Sequence, residues 1–113
     1  MANVLIAPRL FAEIQKRFKG TAGEVIDLLE TLETNPKKRK IVGMIGNTVI
    51  KELKYGVYRF YFITDGHKIK ALSIEELRDV LIKFVRMSDK DTQQETIEEI
   101  KRVLRTIGEE GFA

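Results

Sequence analysis

Cysteine and tryptophan are absent from this 113-residue chain, and histidine occurs once, as His67. The missing cysteines exclude a disulfide scaffold, a thiol nucleophile and Cys-ligated zinc or iron–sulfur sites. One histidine excludes a His-cluster metal centre and leaves a single imidazole for acid–base work. No apolar run approaches the roughly 18–20 residues that a membrane helix needs. The N-terminus, Met1-Ala2-Asn3-Val4-Leu5-Ile6-Ala7-Pro8-Arg9, lacks the charged start of a secretory signal. The expectation is one soluble cytoplasmic domain over residues 1–108 with a flexible tail at 109–113, free of metal and cofactor. An apolar content of 43% suits a packed core.

Charge is scarce only as a total. The 20 Lys and Arg against 17 Asp and Glu leave +3. Residues 1–34 hold four bases and five acids, and residues 73–113 hold seven bases and ten acids. Between them, residues 35–72 hold nine bases and two acids, a net +7. A cationic segment of this density attracts polyanions, nucleic acid first among them. It is also compatible with lysines that merely keep a sheet edge soluble.

Val4-Leu5-Ile6 reads as a short strand stopped by Pro8. Leu10, Phe11, Ile14 and Phe18, then Val25, Leu28, Leu29 and Leu32, recur at helical spacing on either side of Gly20–Gly23. They predict a helical hairpin closed by Asn35-Pro36. Period-two patterning over 48–55 and 57–64, joined at Gly56, predicts two strands. Asp65-Gly66 signals a tight hairpin with a return strand at 68–72. Ser73 and Glu76 are spaced as a capping box, and residues 81–85 read as a strand. Thr92 and Glu95 have capping-box spacing ahead of a helix striped by Ile97, Ile100, Val103 and Ile107. The predicted class is α+β: an N-terminal strand and helical hairpin, a three- to four-stranded antiparallel curled sheet, and a C-terminal helix.

Alternation places Tyr58, Phe60 and Phe62 on one face of their strand, for the helical hairpin to cover, and Arg59 and Tyr61 on the other. Arg59, held between core aromatics, presents a guanidinium fork that matches phosphate. Lys51, Glu52 and Lys54 lie on the neighbouring strand, so a cross-strand Arg59–Glu52 ion pair among solvated lysines is the alternative. His67 is expected at a turn, and Glu75-Glu76, Glu98-Glu99 and Glu109-Glu110 as solvated surface charge.

The run Val49-Ile50-Lys51-Glu52-Leu53-Lys54-Tyr55-Gly56-Val57-Tyr58-Arg59-Phe60-Tyr61 resembles the core motif of the RelE/ParE toxin superfamily, nearest its HigB-type branch. The similarity continues through Ile82-Lys83-Phe84-Val85-Arg86 and spans most of residues 4–107. It implies a RelE-like fold and a metal-independent endoribonuclease that cuts mRNA on the ribosome and is restrained by an antitoxin. In that chemistry the ribose 2′-OH loses a proton while attacking phosphorus, the phosphorane charge is neutralised, and the departing oxygen is protonated. The resemblance implies Arg59 for the phosphate, Arg86 for the leaving group, and Lys54 or Glu52 as base. Lys51, Tyr61 and the basic run Lys37, Lys38, Arg39 and Lys40 are the implied RNA contacts. After Arg86 the chain continues Met87-Ser88-Asp89-Lys90 with neither the Tyr nor the His found in many ribosome-dependent relatives. The alternatives are a non-cleaving RelE-fold module that binds RNA or protein, or a ParE-like topoisomerase poison.

Overall fold

The computed structural model describes residues 2–73 and 75–112. In chain order the elements are β1 (Asn3–Ile6), α1 (Pro8–Arg17), α2 (Ala22–Glu30), a 3-10 turn (Thr31–Glu33), β2 (Lys40–Ile45), β3 (Thr48–Tyr55) and β4 (Tyr58–Asp65). They continue as α3 (Gly66–Ala71), a 3-10 turn (Glu76–Asp79), β5 (Leu81–Asp89), α4 (Gln93–Thr106) and a final 3-10 turn (Glu109–Phe112). The fold is α+β, with one five-stranded sheet ordered β1-β5-β4-β3-β2. It is mixed rather than wholly antiparallel, because β1 pairs parallel to β5. No helix among the described residues is long and apolar enough to cross a membrane.

Each face of the sheet carries its own core. On one, Leu10 and Ile14 of α1 and Val25 and Leu29 of α2 cover Leu53, Phe60, Phe62 and Phe84. Pro8 starts α1 where its missing N–H costs nothing, and Lys16 and Arg17 end it favourably against the helix dipole. Phe18, just past α1, meets Tyr55 and Tyr58 edge-on at 5.8 and 5.1 Å. The aromatic row predicted for β4 is therefore the seat of the helical hairpin. On the other face, Ile97 and Ile100 of α4 cover Ile50, Tyr61, Ile63 and Val85.

Four sequence expectations need correction. Residues 68–72 form no strand: the Asp65 carboxylate accepts from the Lys68 amide at 3.1 Å and caps α3 instead. Gly66 serves close packing there rather than a left-handed turn, since a Cβ would stand 2.5 Å from Val49 Cγ1. The unpredicted strand is β2, which reaches β3 through the two-residue loop Gly46-Asn47 just as Gly56-Val57 joins β3 to β4. Both glycines have φ +59°, as the first position of a II′-type hairpin loop requires.

Thr92 makes no side-chain cap; Asp89 Oδ1 accepts from the amides of Asp91 and Thr92 at 2.8 and 3.0 Å. Of the segment expected as a loose tail, Glu109–Phe112 is packed, with Phe112 buried in the α4 core, and Ala113 lies outside the described residues. The reciprocal Ser73–Glu76 capping box does form, at 2.9 and 3.3 Å, but caps only a 3-10 turn.

Candidate nucleic-acid interface

Register decides which charges share a face. In β3 and β4 the directly opposed pairs are Lys54–Arg59, Glu52–Tyr61 and Ile50–Ile63. Beyond β4, Ser88 stands opposite Arg59 and Arg86 opposite Tyr61. Lys40 of β2 stands opposite Glu52. Two rows therefore cross the sheet on the α4 side: Lys54–Arg59–Ser88, and Lys40–Glu52–Tyr61–Arg86. Directly opposed side chains have Cβ atoms only about 5 Å apart, and like charges there repel.

Arg59 and Lys54 form such a like-charge pair. Lys54 is exposed and Arg59 half-buried. The Arg59 guanidinium turns toward the β3–β4 loop, where Nη1 donates to the carbonyls of Gly56 and Tyr58 at 3.1 and 2.9 Å. Its Nε is buried with no hydrogen-bond partner. No Arg59–Glu52 ion pair forms among the described residues. Glu52 is recessed, 6% exposed, beside the phenol of Tyr61.

Tyr61 is wholly buried beneath α4, so its ring cannot serve as the expected RNA contact. Its hydroxyl shares a 2.8 Å hydrogen bond with Ser88 Oγ. Burial raises the Tyr61 pKa above its ordinary value of 10.0; the Ser88 bond opposes this, the Glu52 carboxylate adds to it, and the Arg59 guanidinium opposes it.

Lys51 is also misplaced by the sequence reading. It stands opposite Phe62, on the helical-hairpin side of the sheet, and is only 2% exposed. Its ammonium donates to the Lys37 carbonyl at 2.9 Å, which pins the basic loop to the sheet. Lys38 and Arg39 border a shallow hollow with Leu28, Thr31 and Asn35, and Arg39 is held at φ +88°. Of the basic run, only Lys40 shares a row with Glu52. Lys37, Lys38 and Arg39 lie on the loop before β2, apart from the Lys54–Arg59 row.

Desolvation lowers the Lys51 pKa from its ordinary 10.5. Between the lowered value and 10.5 the unfolded chain binds more protons than the folded one, so this residue makes stability rise with pH across that window. The raised Tyr61 acts in the opposite sense above pH 10. Melting curves of wild type and Lys51→Met from pH 8 to 10.5 separate the two. The wild type should gain on the variant as pH rises; parallel curves would contradict a buried charge at Lys51.

Arg86 reaches α4 through a bulge. Tyr61 pairs with Arg86 but Phe62 with Phe84, so Val85 is the extra residue, and both Val85 and Arg86 project to the α4 side. Arg86 Nε donates to Glu99 Oε1 at 2.5 Å, correcting the expectation that Glu99 is solvated surface charge. Nη1 donates to the Val85 carbonyl at 2.7 Å.

Sequence reasoning missed Ser88 and Glu99, because neither the β5 bulge nor the path of α4 leaves a local pattern. His67 is exposed on α3, outside both rows. Among the described residues no three His, Asp or Glu side chains gather as metal ligands.

The arrangement offers cations for a phosphate at Lys54 and Arg59, a recessed carboxylate at Glu52, and a hydroxyl pair beside them. Comparison with protein-family models, with characterised proteins and with solved structures finds no match to this chain.

Proposed function

We propose that this chain is the toxin of a toxin–antitoxin pair, an endoribonuclease that cuts mRNA on the ribosome in the cytoplasm by 2′-OH attack, as its resemblance to RelE-type toxins implies. The observation that carries the reading is the Lys54–Arg59 pair. Two cations stand directly opposed on adjacent strands, neither in an ion pair with an acid among the described residues, next to a recessed carboxylate. That repulsion is relieved when a phosphate sits between them.

In the proposed step Glu52 takes the 2′-OH proton and the 2′-oxygen forms a bond to phosphorus. Arg59 stabilises the dianionic phosphorane, the P–O5′ bond breaks, and Lys54 protonates the departing 5′-oxygen. The products are a 2′,3′-cyclic phosphate and a 5′-hydroxyl, and no metal or cofactor takes part.

The second reading is a non-cleaving module, an RNA or protein binder or a topoisomerase poison. It is favoured by the Arg86–Glu99 pair, which occupies the side chain expected to serve the leaving group. Induced expression followed by mapping of mRNA 5′ ends distinguishes the two. The nuclease reading predicts growth arrest with new ends, both lost in Arg59→Ala. Arrest without new ends would overturn the nuclease in favour of the second reading. Harmless wild-type expression would overturn both the nuclease and the topoisomerase poison, leaving a non-toxic binder.

A further inference from the structure

The guanidinium of Arg86 is enclosed on three sides by its own chain. Glu99 of α4 holds Nε, the Val85 carbonyl holds Nη1, and the Phe112 ring lies beneath it with its centroid 5.0 Å from the guanidinium carbon. The Arg86 side chain is 11% exposed and that of Glu99 is 34% exposed.

Two glycines bring Phe112 to this place. Gly108 reverses the chain after α4 with φ +93°, a conformation most side chains avoid. Gly111 then lies so close to α4 that a Cβ would stand 2.4 Å from Val103 Cγ1. The segment 109–112 thus folds back along α4 and sets an aromatic face against Arg86.

An ion pair with a partly exposed acid is weak and screened by salt, whereas guanidinium binds phosphate through paired, charge-assisted hydrogen bonds. A phosphate can therefore compete with Glu99. Arg86 is also within reach of the open row. It lies two residues from Ser88 on the same face of β5, about 7 Å along the strand and within an arginine side chain's length.

We propose that Glu99 and Phe112 form an autoinhibitory latch that withholds Arg86 from the Lys54–Arg59 row, and that RNA phosphate gains Arg86 when Glu99 releases it. This inference rests on the RNA reading above and adds a regulatory contact to the same face.

The test uses the full chain and a single-stranded 2′-O-methyl RNA, which can bind but cannot be cut. Affinity is measured over a salt series, and the exposure of Arg86 by phenylglyoxal modification read by mass spectrometry. Glu99→Gln should raise Arg86 modification severalfold and tighten binding about threefold to tenfold. It should also steepen the log K against log salt slope by about 0.7, one added phosphate contact on a single strand. Adding Arg86→Ala should cancel the gain.

Glu98→Gln is the control, because it removes the same charge from an acid that faces Lys101 and Gln94 rather than Arg86. Phe112→Leu, which keeps apolar bulk but removes the ring, should also raise Arg86 modification and guards against a Glu99 variant that folds poorly. Equal affinities for Glu99→Gln and Glu98→Gln, or a gain that survives Arg86→Ala, would overturn the latch and leave the RNA reading standing. No binding by wild type or any variant would overturn the latch, and the RNA reading would then stand or fall on the mapped mRNA ends.

Discussion

Glu52→Gln is expected to lower RNA cleavage by about 10²- to 10⁴-fold, the loss typical of removing a general base, while leaving RNA affinity unchanged or slightly improved. The substitution keeps the shape of the side chain and deletes only its charge and basicity. Glu52 is 6% exposed on β3, in register between Lys40 and Tyr61, so little room exists for another base to take its place. Affinity should not fall, because the lost negative charge stands beside Lys40 and near Lys54 and Arg59, the cations proposed to bind phosphate. Nor should the fold suffer, since a neutral amide is easier to bury than a carboxylate. An independent reading comes from Tyr61. The Glu52 carboxylate helps to raise its pKa, so in Glu52→Gln the phenol should ionise at lower pH in a spectrophotometric titration. Cleavage at the wild-type rate would remove Glu52 from the mechanism, whatever became of binding.

Phe60→Ala is expected to destabilise the protein by about 3–5 kcal/mol, the usual cost of emptying a buried aromatic site. Phe60 is fully buried between Leu53 and the helical hairpin, with Phe18 at 6.2 Å and Tyr55 at 6.5 Å between ring centroids. The loss would be felt on both sides of the sheet, because Arg59 and Tyr61 flank Phe60 on the same strand. In a domain of this size the thermal midpoint should fall by roughly 15 °C or more. Phe60→Leu should recover much of it. A drop of only a few degrees for the alanine variant would mean that the core closes over the gap and that the hairpin is not seated as described.

These residues also mark what the sequence could and could not disclose. Period-two alternation sorted β4 correctly: Phe60 and Phe62 face α1 and α2, and Arg59 and Tyr61 face away. It could not tell that α4 would cross that second face, and so Tyr61 is covered while Arg59 stays half-exposed. Lys51 was legible in principle, since it lies two residues from Leu53 and must share its buried face. A run of charged neighbours hides such parity until the register with β4 is known. Strand β2 went unseen because Gly43 weakens its pattern and its first residue closes a basic run, although Gly46-Asn47 repeats the turn logic of Gly56-Val57. Asp65-Gly66 fits both a hairpin and a helix cap, and only the Lys68 amide chooses. The Arg86–Glu99 contact depends on a bulge and on residues 13 apart, which no local pattern encodes.

In the proposed reaction the Lys54–Arg59 face cuts RNA by internal attack of the ribose. Its most direct test is the structure of the ends left on mRNA after incubation with the purified chain and ribosomes, in the presence of EDTA. The proposed step predicts 2′,3′-cyclic phosphate and 5′-hydroxyl ends, formed by wild type and not by Arg59→Ala. Intact RNA, 3′-hydroxyl ends, or the same fragments from Arg59→Ala would contradict it.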